Sequence, residues 1–328
     1  MNIFLTYDYE LFFGEPAGSA EKCILEPTRR LNEVAKKHKV GFTYFVDVGY
    51  IIALEKFMPN HPTLEIDYEK IIGQIKELLL TGSDVQLHIH PHWEASYYDG
   101  KKWVMVVDGH YKLADFSAKD IDRIVTTYKQ KLETIIGKSV HSFRAGGWCL
   151  QPFSDVRETF KKNKIKYDTT VFQGGYFKTK HYYFDFRNAP KKGKYCFEND
   201  LCIEQKDGFF TEYPIGGWYY NPLFYWNLYV RGRLNPKDHK MIGDGNYIPQ
   251  PGRKWKNLTQ PNWNHVCSDG YFTKKLRQIT RNYSKSGRTD MVIIGHPKCL
   301  TNFGLKKLDE YIEFAKNKHS FKVFRELE

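Results

Sequence analysis

The sequence has no Cys-x-x-Cys pair, and its six cysteines (Cys23, Cys149, Cys196, Cys202, Cys267 and Cys299) are scattered through 328 residues. This spacing excludes a zinc ribbon, a thioredoxin-type motif and a disulfide scaffold, so free thiols are expected. No stretch approaches the roughly 20 apolar residues that a spanning helix needs, which excludes an integral membrane segment. The opening MNIFLTYDYE has early acids and lacks the basic and then apolar pattern of a secretory leader. A cytoplasmic location, extending to the inner face of the membrane, is therefore the expectation. Acidic residues are also in short supply, 38 Asp and Glu against 50 Lys and Arg, for a formal net charge of +12. Such an excess favours nucleic acid, an anionic membrane surface or phosphate-bearing saccharides, unless it is only a solvated basic surface. Zinc-finger spacing, ribonucleoprotein motifs and helix-turn-helix signals are missing, so no nucleic-acid partner is expected, while peripheral membrane contact stays open.

What is present suits a globular enzyme: 41% hydrophobic and 27% charged residues, enough to bury a large core. One domain over residues 1–328 is expected. Short β-rich runs alternate with helical patterns. Residues 2–7 read as a buried strand, and a helix opening at Pro27 carries Leu31, Val34 and Ala35 on one face. Residues 41–48 and 84–90 read as further strands, separated by a helix with Ile71, Ile75 and Leu78 that stops at Gly82. Ser117 caps a helix running to Gly137. Residues 140–144, 166–171, 209–214 and 291–295 complete the strand candidates, with helices near 154–163, 272–286 and 305–317. Repeated βα units favour a parallel sheet, open or closed into a barrel. Residues 178–264, rich in Gly, Pro, Asn and aromatics, break the rhythm and read as an insertion over the barrel mouth.

The polar residues that stand out fall at the ends of these strands: Asp8 and Glu10, then His88, His90 and His92, then Arg144, then His296. The C-terminal rim is where barrel active sites assemble. Asp8 and Glu10 alternate along a strand end and can serve one site. Two imidazoles and a carboxylate leave positions open on an ion, as catalytic zinc requires, although a histidine cluster without metal is the alternative. Arg144 can orient an acid, and His296 is a candidate general acid.

These residues, from Leu5 to about Leu300, resemble the polysaccharide deacetylase family, carbohydrate esterase family 4 or NodB-homology domain, and within it the branch of lipopolysaccharide and O-antigen biosynthesis. Thr6-Tyr7-Asp8-Tyr9-Glu10 is similar to the family's first motif, and His88 with His92 to the H-x-x-x-H of its second. Arg144-Ala145-Gly146-Gly147-Trp148 is similar to the third and Val292-Ile293-Ile294-Gly295-His296 to the fifth. The resemblance implies an α/β fold, a distorted (β/α)7–8 barrel. It implies Asp8 as base, and Glu10, His88 and His92 as metal ligands, with zinc first and iron or cobalt as alternatives. It further implies Arg144 orienting Asp8, the Gly147 N–H at the oxyanion, His296 as acid, and Trp148 and Trp93 at the substrate. The fourth motif, an acid that tunes the histidine, finds only Asp168 and Glu212 as candidates, and His90 is extra. The implied activity is removal of an N-acetyl group from an amino sugar of a surface polysaccharide or its precursor, nucleotide- or lipid-linked. A catalytically silent saccharide-binding member is the alternative.

Overall fold

The computed structural model describes residues 1–327. The apolar runs form a curled sheet. Its main strands are β1 (Asn2–Tyr9), β2 (Thr43–Asp47), β3 (Asp84–Ile89), β4 (Ser142–Ala145), β5 (Tyr167–Asp168), β6 (Tyr195–Phe197) and β7 (Phe210–Glu212). The hairpin of β8 (Gly217–Tyr220) and β9 (Asn262–His265) follows, then β10 (Asp290–Gly295) and β11 (Ser320–Phe321). The spatial order is β6-β7-β5-β4-β3-β2-β1-β10, with β11 also on β1. All pairs in this sheet are parallel except β6 with β7. Isolated parallel bridges from Ile215 to Phe172 and to Val292 draw the β7 side toward β10, so the sheet bends into the expected distorted barrel.

Helices cover the outside: α1 (Glu26–His38), α2 (Val48–Phe57), α3 (Pro62–Leu80), α4 (Ala118–Ile136) and α5 (Ser154–Lys162), then α6 (Pro222–Leu234), α7 (Arg253–Thr259), α8 (Leu276–Lys285) and α9 (Asn302–Ala315). Ser117 caps α4, its Oγ accepting from the Asp120 N–H, and Gly137 ends that helix in the left-handed conformation. Residues 178–264 are not uniformly an insertion, because β6 and β7 within them extend the main sheet. The remainder, with α6, α7 and the β8–β9 hairpin, contributes its own aromatic cluster around Tyr220, Phe224, Tyr225 and Tyr271.

Strand alternation sorts the buried side chains into two sets. Ile3, Leu5, Tyr7 and Tyr9 of β1, with Val85, Leu87 and Ile89 of β3, join the cluster under the helices. Phe4, Phe45, Val292 and Ile294 form a second cluster inside the curl, joined by Tyr213, Ile215 and Cys267. The parity that points Phe4 inward also points Thr6 and Asp8 inward, so the enclosed face turns polar toward the strand ends.

Candidate active site

The same parity carries Asp47, His88 and Arg144 to the inner face, and the chain continues past the strands with Glu10, His90 and His296. Asp8 and Glu10 are buried, as are His88, His90 and Arg144. Arg144 holds the arrangement from beneath. Its Nη1 donates to Asp8 Oδ1 at 2.6 Å, Nη2 to Thr6 Oγ1 at 2.9 Å, and Nε to the Thr169 carbonyl at 3.0 Å. Its guanidinium also lies 4.3 Å from the centre of the Phe45 ring. The expected contact between Arg144 and Asp8 is thus made.

Glu10 receives positive or imidazole groups on both oxygens. Lys298, itself buried, donates to Glu10 Oε1 at 2.8 Å and to the Leu11 carbonyl at 2.7 Å. Glu10 Oε2 lies 3.1 Å from His88 Nε2 and 2.6 Å from His90 Nε2. Burial raises the Glu10 pKa, but Lys298, His90 and His88 outweigh it and hold the carboxyl well below its ordinary range. For His88, burial acts against the charged ring, and Asp8 and Glu10 reverse it to give a raised pKa. The His88 Nδ1–H donates to the Arg144 carbonyl at 2.8 Å, which fixes the ring and points Nε2 at Glu10.

The second imidazole at the acid is His90, where the spacing had pointed to His92. Glu10, His88 and His90 offer ligand atoms that all lie within 4.8 Å of one another, and no such group among the described residues contains His92. The reason is geometric: His88 and His90 share strand parity, whereas Pro91 turns the chain into a short 3-10 segment, Pro91–Glu94. His92 Nδ1 then lies 3.2 Å from Ser96 Oγ, and its ring packs against Phe13 and Trp93. Burial, helped by His90, pushes its pKa well down. His90 Nε2 approaches Glu10 without the alignment of a hydrogen bond, and His90 Nδ1 has no partner among the described residues. A buried nitrogen left without a hydrogen bond beside a carboxylate, as His90 Nε2 is, is what a divalent ion would use, and the donor set of one oxygen and two imidazoles fits zinc, iron or cobalt; His92 Nε2 is also unpaired among the described residues but belongs to no such group.

His296 stands across from this group. Asp269 accepts from the His296 backbone N–H at 2.7 Å and pairs with its Nδ1 at 2.8 Å. His296 Nε2 is left 3.7 Å from Asp8 Oδ2 and 3.9 Å from Glu10 Oε1. Burial depresses its basicity, yet Asp269, Asp8 and Glu10 together raise its pKa. The acid serving His296 is therefore Asp269 and neither Asp168 nor Glu212. Those two face each other on β5 and β7, where burial raises both pKa values. Sequence reasoning missed Asp269 because it follows no regular strand. It is placed by the Cys267–Ile294 bridge, a long-range contact that leaves no local signal.

The turn after Arg144 is tightly occupied. A Cβ on Gly146 would lie 2.4 Å from His90 Nδ1. Gly147 has φ +58°, and a Cβ there would fall 2.6 Å from the Tyr111 hydroxyl and 2.7 Å from that of Tyr182, so these two phenols leave no room for a side chain at this turn. Trp148 is half-buried against Phe172, Phe184 and His265. Trp93 is not placed to meet a substrate. It is 4% exposed, packs with Tyr50 and Trp103, and donates from Nε1 to Asp47 Oδ2 at 2.6 Å.

No protein-family model matches the sequence, and no curated protein matches it. Solved structures do match its shape. One, from Mycobacterium smegmatis and described as a polysaccharide deacetylase, aligns at a TM-score of 0.54 and 15% identity over 99% of this chain and 88% of that one. Another so described, from Pseudomonas aeruginosa PAO1, aligns at 0.51 and 11% identity over 99% and 89%. The chain has the polysaccharide deacetylase fold. The Puue allantoinase shares it, at a TM-score of 0.53 and 10% identity over 99% of this chain and 88% of that one. A deacetylase-type barrel therefore fixes the scaffold and the rim on which the polar groups meet, and leaves the substrate to be argued from the side chains. The comparisons give no support for a particular biosynthetic branch.

Proposed function

We propose that the chain is a metal-dependent hydrolase that removes an N-acetyl group from an amino sugar of a surface polysaccharide or its precursor. The observation that carries this reading is the position of Asp8 Oδ2, which lies 3.9 Å from His88 Nε2 and 3.7 Å from His296 Nε2. A carboxylate there can take a proton from water near the His88 side and stands close to a second proton carrier. Arg144 occupies Asp8 Oδ1, which keeps Oδ2 turned to the reacting space. Glu10, His88 and His90 would hold the ion, zinc by preference. Bound there, a divalent ion supplies Lewis acidity toward the acetyl carbonyl and toward water. His296, oriented by Asp269, delivers a proton to the departing amine, and the Gly147 N–H is offered to the oxyanion. The saccharide is polymeric, nucleotide-linked or lipid-linked in this proposal, and lipopolysaccharide or O-antigen assembly is the setting it suits.

One observation favours a second reading, saccharide binding without catalysis. The Lys298 ammonium already neutralises Glu10, as it would in a protein that needs no ion. Metal analysis of protein purified without added ions, followed by acetate release from acetamido sugars, separates the two. The enzyme reading requires about one equivalent of metal on the mechanism above. It also requires turnover that Asp8→Asn lowers by about 10²–10⁴-fold with metal retained. Metal-free protein that binds sugar and releases no acetate would establish the alternative.

A further inference from the structure

The helix α6 leaves an apolar stripe bare. Phe224 and Tyr225 are buried, while Leu223, Trp226, Val230 and Leu234 are exposed by 67, 51, 43 and 81%. Their spacing of three and four residues places them along one side of the helix. The neighbouring α7 is tied to α6 by the Trp226 Nε1–H, which donates to the Leu258 carbonyl at 3.1 Å. It adds Trp255, 72% exposed.

Charge around the stripe is predominantly positive. Residues 222–260 contain seven Lys and Arg against two acids, Asp238 and Asp244. The acids are engaged locally, Asp238 by Asn235 and Asp244 by Ser19. Arg231, Arg233, Lys254 and Lys256 are exposed, and none of them pairs with a carboxylate among the described residues. Other surface lysines of this protein do find acids, as in Lys22–Glu26, Lys37–Asp309 and Lys162–Asp122. The core of a protein–protein interface is depleted of charge, whereas a bare Trp and Leu stripe edged by unpaired cations matches a protein face that rests on anionic headgroups.

We propose that α6 and α7 dock this protein peripherally on an anionic lipid bilayer. The β8–β9 hairpin links this face to the site, since Tyr220 of β8 packs on Phe224 of α6 and His265 of β9 packs on Trp148. Docking would thus bring the barrel rim toward the bilayer. That such an orientation serves a lipid-linked saccharide rests on the function proposed above.

Flotation with vesicles of about 30 mol % phosphatidylglycerol in phosphatidylcholine, beside pure phosphatidylcholine, tests the proposal. The wild type should float with the anionic vesicles only. The combined variant Leu223→Ser, Trp226→Ser, Leu234→Ser, Trp255→Ser should bind at least about tenfold more weakly at an unchanged circular dichroism spectrum. A second variant, Arg231→Gln, Arg233→Gln, Lys254→Gln, Lys256→Gln, should lose binding first as salt rises. Wild-type protein that stays unbound overturns the proposal, as does binding that the serine variant leaves intact. A wild-type dimer that the serine variant dissolves, with no vesicle binding, assigns the face to a second copy instead. Failure here is distinguishable from failure of the hydrolase reading, because metal content and acetate release from a soluble acetamido sugar are measured without vesicles.

Discussion

Lys298 shows how one residue can decide between two chemistries. Its ammonium is almost wholly buried and its nearest anion is Glu10, so removing it leaves a carboxylate with less compensation in a low-dielectric place. Lys298→Met should therefore destabilise metal-free protein by about 3–5 kcal/mol. Added zinc should restore more stability to this variant than to the wild type, because the ion supplies the missing positive charge; differential scanning calorimetry with and without metal reads the difference. His265 makes a prediction of another kind. Burial drives its pKa down to about 3, so between that value and the ordinary 6.5 the unfolded chain binds a proton that the folded chain refuses. Its contribution to stability is present above pH 6.5 and is lost as pH falls toward 3. In urea titrations, His265→Phe should flatten the fall in stability over that window. An unchanged slope would mean that the ring is protonated in the folded state.

Among the elements, the turn that follows β4 constrains the site directly. Gly146 lies flat against His90, and any side chain there must push the imidazole away from Glu10. Gly146→Ala should keep the far-ultraviolet circular dichroism spectrum while weakening metal binding by about 10–100-fold, as loss of a supporting contact does at other metal sites. Most strands were legible because apolar runs such as Phe4, Val85 and Ile293 stand between Gly, Asp and Lys. Helices with one apolar stripe, such as α4, were equally plain. The helix α2 was not, since Val48, Tyr50, Ile51, Ala53 and Leu54 are buried on several sides and leave no 3.6-residue alternation. The structure gathers His90, in place of His92, beside Glu10 for a related reason. Four-residue spacing describes a helix face or a familiar motif, while two-residue parity governs a strand, and β3 stays extended through Ile89 before Pro91 ends it.

The barrel as a whole converts these local facts into one site. Asp8 and Glu10 come from the first strand, His88 and His90 from the third, Arg144 from the fourth and His296 from the end of β10, which pairs with β1 across nearly the full chain length. Such convergence could be read from the sequence only as polar residues at strand ends; the partners Lys298 and Asp269 depend on closure of the sheet and left no periodic trace. An ion held by Glu10, His88 and His90 would tie β1 to β3 and bind only the folded chain. At about a hundredfold excess over its dissociation constant it should add about 2.7 kcal/mol, and chelation should lower the melting temperature by several degrees. His90→Ala should abolish that dependence. His92→Ala, whose ring lies against Phe13 and Trp93 outside the group, should lower the melting temperature through lost packing yet retain the response to metal. If His92→Ala loses the response and His90→Ala keeps it, the strand-parity assignment is wrong and the four-residue spacing is right.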